Sequence, residues 1–306
     1  MGINEEPTQL KPNDYASDQE VRWCPGCGDY AILNAVKKSL ADRQAKKENT
    51  VFVSGIGCSS RLPYYMDTYG FHTIHGRAPA FATGIKLTNP ELDVWIITGD
   101  GDALSIGGNH FIHLLRRNLN CQILLFNNEI YGLTKGQASP ASRTGTVSPS
   151  TPSGSLESPM SACELALSSG ATFVARGVDT AIKQLVPTLS KAQEHVGTSL
   201  VEIYQNCIVY NDDVFKSFTD KSVAIDKQIH LENGKPMLFG ENNTKGLSIN
   251  KDYSSLEILD LEKNPEELSK VLIHDYSNKT IASLLTQMDQ NIMPVALGVI
   301  YCIEKP

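Results

Sequence analysis

The sequence predicts an α/β fold, a doubly wound and mostly parallel sheet. Three observations carry that reading. Short apolar or β-branched runs recur at 50–54, 93–98, 122–126, 171–176 and 200–204. Stretches with helical apolar spacing lie between them, and strands alternating with helices of this length form right-handed βαβ units. The runs are nearly continuous in apolar residues, as strands covered on both faces are.

Taken in order, residues 1–20 read as a loosely held N-terminal lead-in. Tyr30, Leu33, Ala35, Val36 and Leu40 then recur at helical spacing. Thr50 to Ser54 is a β-branched strand that stops in the Gly-rich turn Gly55-Ile56-Gly57-Cys58. A loop carrying His72 and His75 leads into a helix from Pro79 to Leu87. Asp93 to Thr98 is a strand stopped by Gly99-Asp100-Gly101-Asp102, and a helix follows from about Gly108 to Arg117. Gln122 to Phe126 is a strand stopped by Asn127-Asn128. Of the 21 residues from 136 to 156, fifteen are Ser, Thr, Pro or Gly, so helix or strand is not expected there. Loops of this length inside compact domains are usually functional lids or binding loops; a solvated connector is the other reading. A helix near 160–168, a strand at 171–176, a helix near 180–195 and a strand at 200–204 complete the pattern. Residues 21–210 thus form the α/β domain. From residue 211 to 306 the chain is more polar, with a hairpin-like stretch at Asn233-Gly234-Lys235 and a last helix near 280–288, and reads as a peripheral C-terminal extension.

Composition excludes several function classes. The chain has 306 residues, 41% hydrophobic and 20% charged, ordinary for a globular protein with a full core. No run of about 18 apolar residues is present, so no membrane span is expected. Residues 1–18 are polar and resemble no secretory signal, which makes the cytosol the expected location. The formal net charge is −7 with no Lys/Arg block, which argues against nucleic acid as a partner. Seven cysteines without a signal peptide point to metal or redox chemistry rather than a disulfide framework.

The pair Gly99-Asp100-Gly101 and Asn127-Asn128 is the strongest chemical signal. Ligands of open α/β sheets bind at the carboxyl ends of strands, and both segments fall there. They span 30 residues, counting from Gly99 to Asn128 inclusive. A Gly-rich turn offers backbone N–H groups to a diphosphate. An Asp carboxylate and an Asn amide oxygen are hard ligands suited to Mg²⁺, and the carbonyl of Ile130 adds a third. Taken singly, each segment is an ordinary turn. Cys24 and Cys27 form a Cys-x-x-Cys pair, and Cys58 and Cys207 each sit at a strand end. Four such thiolates suit a [4Fe–4S] cluster; a structural zinc or a thioredoxin-type redox pair fits the spacing equally.

The Gly99–Asn128 spacing resembles the thiamin diphosphate signature. Together with Trp23-Cys24-Pro25-Gly26-Cys27-Gly28, Gly55-Ile56-Gly57-Cys58-Ser59, His75-Gly76-Arg77-Ala78 and Tyr131-Gly132-Leu133-Thr134-Lys135-Gly136-Gln137, the chain is similar to the β subunit of a 2-oxoacid:ferredoxin oxidoreductase over about residues 20–210. The resemblance implies a thiamin diphosphate-binding fold, with Ile56, Gly57, Cys58, Ser59, Gly101, Asp102, Gly132 and Leu133 lining the cofactor and His75 near it. It implies Asp100, Asn128 and the Ile130 carbonyl as Mg²⁺ ligands, and Cys24, Cys27, Cys58 and Cys207 as ligands of a [4Fe–4S] cluster. The implied reaction is coenzyme A-dependent oxidative decarboxylation of a 2-oxoacid, or the reverse carboxylation, with ferredoxin or flavodoxin as electron carrier. A separate α subunit is implied to supply the glutamate that activates the cofactor, so no catalytic residue is assigned on this chain.

Arg61, three residues past Cys58, is the candidate substrate residue, because a guanidinium binds a carboxylate bidentately. The matching position is basic in family members that accept 2-oxoglutarate, which makes that dicarboxylate the expected substrate. The alternatives are pyruvate, a broad 2-oxoacid range, or a non-redox thiamin enzyme carrying a structural zinc; a non-enzymatic zinc or redox module is a third class. Cys121, Cys163 and Cys302 read as structural, His110 and His113 as helix surface, His72 as a loop histidine, and Asp212-Asp213 as a solvated turn.

Overall fold

The computed structural model describes residues 9–305. Eight strands make one sheet: β1 (Thr50–Ser54), β2 (Tyr69–His72), β3 (Asp93–Gly99), β4 (Cys121–Asn127), β5 (Phe173–Val178), β6 (Thr198–Tyr204), β7 (Gln228–Leu231) and β8 (Val295–Cys302). Their spatial order is β2-β1-β3-β4-β6-β5-β8-β7. Neighbours run parallel throughout, except that β8 lies antiparallel to β5.

Alternation along each strand sorts the core into two layers. On one face Val51, Val53, Val94, Ile96, Ile123 and Leu125 pack under Ala82 of α2 (Ala78–Thr88), Phe111 of α4 (Gly108–Arg117) and Ala166 of α5 (Ala162–Ser168). On the other, Phe52, Trp95, Ile97, Leu124 and Phe126 meet Ile32 and Val36 of α1 (Asp29–Asp42) and Leu185 and Leu189 of α6 (Ile182–Glu194). A short helix, α3 (Asp100–Leu104), leaves the end of β3 directly.

Register decides where the loops meet. Ser54 pairs with Ile97, Gly99 with Phe126, and Asn127 with Tyr204. The carboxyl ends of β1, β3, β4 and β6 therefore stop along one rim.

Four expectations need correction. Residues 211–306 are not peripheral: they supply β7 and β8 to the main sheet, and α7 (Lys279–Thr286) packs Ile281 and Leu285 into its core. Their polar texture reflects the loops between these pieces. Asn233 and Gly234 do turn the chain, but β7 has β8 as its partner instead of a hairpin mate; the following strands form a separate sheet from Leu238–Phe239, Lys245–Ile249 and Leu256–Asp260. Of the lead-in, residues 1–8 lie outside the described residues. The part that follows is anchored, since Tyr15 is fully buried and donates to the carbonyls of Leu40 and Ala45 at 3.2 and 2.6 Å. The loop expected to carry His72 also contains β2, an edge strand with every residue exposed and hence no burial pattern to betray it. Among the described residues no helix is long and apolar enough to cross a membrane.

Candidate active site

Four strand-end loops build the site. Gly55–Cys58 follows β1, α3 follows β3, Asn128–Gly132 follows β4, and Gln205–Cys207 follows β6. Between the first three lies a cavity of about 90 Å³. Ile56, Gly57, Cys58, Ser59, His75, Gly101, Asp102, Gly132 and Leu133, the residues expected around the cofactor, all line it, as do Asp100, Asn128 and Ile130.

Asp102 organises this cavity. Its Oδ1 accepts the backbone N–H groups of Ile56 at 3.1 Å and Gly76 at 2.8 Å and also pairs with His75 Nδ1; its Oδ2 accepts from the Thr98 hydroxyl at 2.7 Å. One buried carboxylate thus ties two loops to the end of β3. Gly55 is glycine for that reason: a Cβ there would stand 1.9 Å from Asp102 Oδ2. Tyr131 covers Gly101, donating its hydroxyl to the Gly101 carbonyl at 3.1 Å, and a Cβ on Gly101 would meet the Tyr131 ring at 2.1 Å.

Asp100 is 2% exposed, and burial pushes its carboxyl up to about 7. The groups that oppose this are hydrogen bonds from the Ser139 hydroxyl, at 2.5 Å, and from the backbone of Asp100, Gly101 and Asn128, none of them a cation. A buried carboxylate with no cationic partner among the described residues, beside an Asn amide and a carbonyl, is a donor set that suits Mg²⁺. At Gly57 nothing lies within 4 Å of where a Cβ would stand, which leaves room for a diphosphate. These residues fit a magnesium-held diphosphate.

A second cavity, of about 220 Å³, is lined by Cys24, Cys27, Cys58 and Cys207. All four thiols are free of disulfides. The Cys-x-x-Cys turn closes with Cys27 N–H donating to the Cys24 carbonyl at 3.0 Å, and needs glycine at Gly26, where φ is 86°. Trp23 Nε1 donates to the Cys58 carbonyl at 2.7 Å, tying this turn to the β1 loop. Burial pushes the Cys58 thiol up to about 12 and raises that of Cys27, with the buried Asp29 adding to both. Among the described residues no three His, Cys, Asp or Glu side chains gather tightly enough to hold a single metal ion. A four-iron cluster spaces its thiolates more widely than one ion does, so four thiols ringing a common cavity fit it.

The two cavities share Cys58, Asn128, Gly132 and Leu133 as walls. Arg61 lies on the cysteine cavity and not on the smaller one; its Nη1 donates to the Arg22 carbonyl at 2.9 Å. Cys121 and Cys163 are fully buried, Cys302 is half-buried, and Asp212 and Asp213 lie in an exposed turn. His72 approaches Ser54 Oγ at 3.0 Å through its Nδ1, outside both cavities. His110 and His113 remain on α4, away from both cavities as well. Sequence reasoning missed Ser139, Tyr131 and Gln205. Tyr131 stood inside a quoted motif, Ser139 was one hydroxyl among many, and Gln205 carried no signal beyond its position two residues before Cys207.

The model of the family described as "Thiamine pyrophosphate enzyme, C-terminal TPP binding domain" matches residues 55–203. The 2-oxoglutarate oxidoreductase subunit KorB of Mycobacterium tuberculosis is 48% identical over 308 residues, covering 100% of this chain and 81% of that protein. The 2-oxoglutarate synthase subunit KorB of Methanocaldococcus jannaschii is 39% identical over 261 residues, covering 82% of this chain and 92% of the relative. Among solved structures, the 2-oxoglutarate:ferredoxin oxidoreductase of Magnetococcus marinus, with 2-oxoglutarate, coenzyme A and succinyl-CoA bound, superposes with a TM-score of 0.78 at 33% identity, covering 99% of this chain and 88% of that one. With the rim geometry and this full-length likeness together, the chain belongs to the family of 2-oxoacid:ferredoxin oxidoreductase β subunits.

Proposed function

We propose that this chain is the β subunit of a 2-oxoglutarate:ferredoxin oxidoreductase, which with its α subunit interconverts 2-oxoglutarate, coenzyme A and an oxidised one-electron carrier with the acyl-CoA, CO₂ and the reduced carrier. The observation that carries the reading is the shared wall: Cys58 and Gly132 border both the Asp100–Asn128 cavity and the four-thiol cavity.

Thiamin diphosphate when bound supplies an electron sink for decarboxylation, and a [4Fe–4S] cluster a one-electron acceptor. The chain's own residues then have definite tasks. Asp100, Asn128 and the Ile130 carbonyl hold Mg²⁺. Ile56, Gly57, Ser59, Gly101 and Asp102 shape the seat of the diphosphate, and His75, steadied by Asp102, borders it. Tyr131, packed on Gly101, covers one side of that seat. Cys24, Cys27, Cys58 and Cys207 hold the cluster as thiolates. Arg61 binds the distal carboxylate of the 2-oxoacid; among the described residues only one of its nitrogens is engaged, by the Arg22 carbonyl, which leaves N–H groups for a carboxylate. The activating glutamate comes from the α subunit, and ferredoxin or flavodoxin carries the electrons away.

The test is anaerobic co-purification of both subunits and reduction of methyl viologen with coenzyme A and a panel of 2-oxoacids. We expect 2-oxoglutarate to be the best substrate, and Arg61→Ala to raise its KM far more than that of pyruvate. Equal loss on both acids overturns the role of Arg61. Bound thiamin with zinc and no iron overturns the redox reading in favour of a non-redox thiamin enzyme.

A further inference from the structure

Gln205 stands directly between the two candidate centres. Its side chain is buried, at 1% exposure, just past the end of β6. Its Oε1 accepts from Asn128 Nδ2 at 2.9 Å. Its Nε2 donates to the Asn206 carbonyl at 2.6 Å and to Cys27 Sγ at 3.2 Å. The two acceptors around Nε2 fix the direction of the amide, so the oxygen faces Asn128. One side chain therefore touches an expected magnesium ligand with one end and an expected cluster ligand with the other.

Each contact has a physical consequence. An N–H directed at a thiolate stabilises its negative charge, and hydrogen bonds to the sulfurs raise the reduction potential of an iron–sulfur cluster. An acceptor that engages Asn128 Nδ2 settles which end of that amide is the oxygen, leaving Oδ1 as the ligand atom. Outer partners of this kind govern both metal affinity and ligand orientation.

We propose that Gln205 is a positioning residue joining the two cofactor sites, raising the potential of the cluster through Cys27 and orienting Asn128 for the diphosphate's cation. This rests on the reading that Cys24, Cys27, Cys58 and Cys207 hold a [4Fe–4S] cluster.

Two variants separate the two contacts. Gln205→Glu keeps an acceptor for Asn128 and removes the donor to Cys27; Gln205→Met removes both. The αβ complex, purified anaerobically, is titrated redox-potentiometrically with the cluster followed by electron paramagnetic resonance. Mn²⁺ binding in the presence of thiamin diphosphate is measured separately. We expect both variants to shift the cluster midpoint to a more negative potential. Mn²⁺ affinity falls about tenfold in Gln205→Met, the worth of one hydrogen bond, and holds in Gln205→Glu. An unmoved midpoint in both variants overturns the proposal. So does loss of the cluster from both while the wild type is loaded, since Gln205 is then a structural residue only. Failure of the underlying reading looks different: the wild-type complex itself then carries no iron–sulfur signal.

Discussion

Gly132 meets Cys207 across the partition between the two cavities: a Cβ built on Gly132 would lie 3.4 Å from Cys207 Sγ, and 3.7 Å from that of Cys58. Cys58, Asn128, Gly132 and Leu133 form the partition. A methyl group fits there in ordinary contact, so Gly132→Ala should fold and keep its iron. A branched side chain invades both cavities, so Gly132→Leu should lose bound iron and bound thiamin together. Metal and thiamin content per chain, measured on the anaerobic complex, checks this; loss of one without the other contradicts a shared wall.

Asp102 is the keystone of the smaller cavity, because it gathers Ile56, His75, Gly76 and Thr98. Asp102→Ala strands buried donors and should lower stability by about 3 kcal/mol, with thiamin diphosphate binding weakened at least tenfold. Asp102→Asn keeps an oxygen for the donors at Oδ1 and should retain most of both. Urea unfolding and calorimetric titration of the cofactor measure the two effects.

Ser139 belongs to the Ser/Thr-rich loop, yet it is buried and donates to Asp100 Oδ2. The same loop grips the segment after β4, where Arg143 Nε pairs with Glu129 Oε2 at 2.9 Å, and it reaches the Val214 carbonyl through Arg143 Nη2 at 2.9 Å. The loop is thus a clamp on Asp100 and on the Asn128–Ile130 segment. Ser139→Ala should raise the Mg²⁺ concentration for half-maximal activity about tenfold with little change in kcat at saturating Mg²⁺, and Ser139→Thr should restore it.

His274 ties the C-terminal region to the sheet, with Nε2 at 2.8 Å from the Val299 carbonyl and Nδ1 buried with no partner among the described residues. Burial lowers its pKa below the ordinary 6.5. Around and below 6.5 the unfolded chain therefore binds a proton more readily than the native state does. Stability present above that value is lost as pH falls through it, by at most about 1.4 kcal/mol per pH unit from this group. His274→Gln should flatten that part of the pH–stability curve, and denaturant midpoints between pH 7 and 5 measure it.

How much of this was legible follows from the forces involved. Asp100 and Asn128 were readable because strand ends and turn chemistry are local, and the sheet rule then places them on one rim. The place of β8 was not readable: an antiparallel strand 295–302 joining β5 is a tertiary choice between segments more than a hundred residues apart. The edge strand Tyr69–His72 left no alternation to detect, since both its faces are exposed. Arg61 was readable as a cation near Cys58, but its seat on the cysteine cavity depends on the 3₁₀ turn Ser59–Tyr65, which no periodicity announces. Gln205 and Ser139 act through single contacts across long separations, 178 residues to Cys27 in one case and 39 to Asp100 in the other, and no spacing rule reaches that far.

The central claim is that four thiols and a cation-held diphosphate share one rim. Iron and thiamin diphosphate counted per β chain, in wild type and in Cys207→Ser of the anaerobic complex, test it most directly. We predict about four irons and one thiamin in the wild type, and collapse of the iron signal in Cys207→Ser with thiamin still bound. Zinc in place of iron, or iron undiminished by Cys207→Ser, contradicts it.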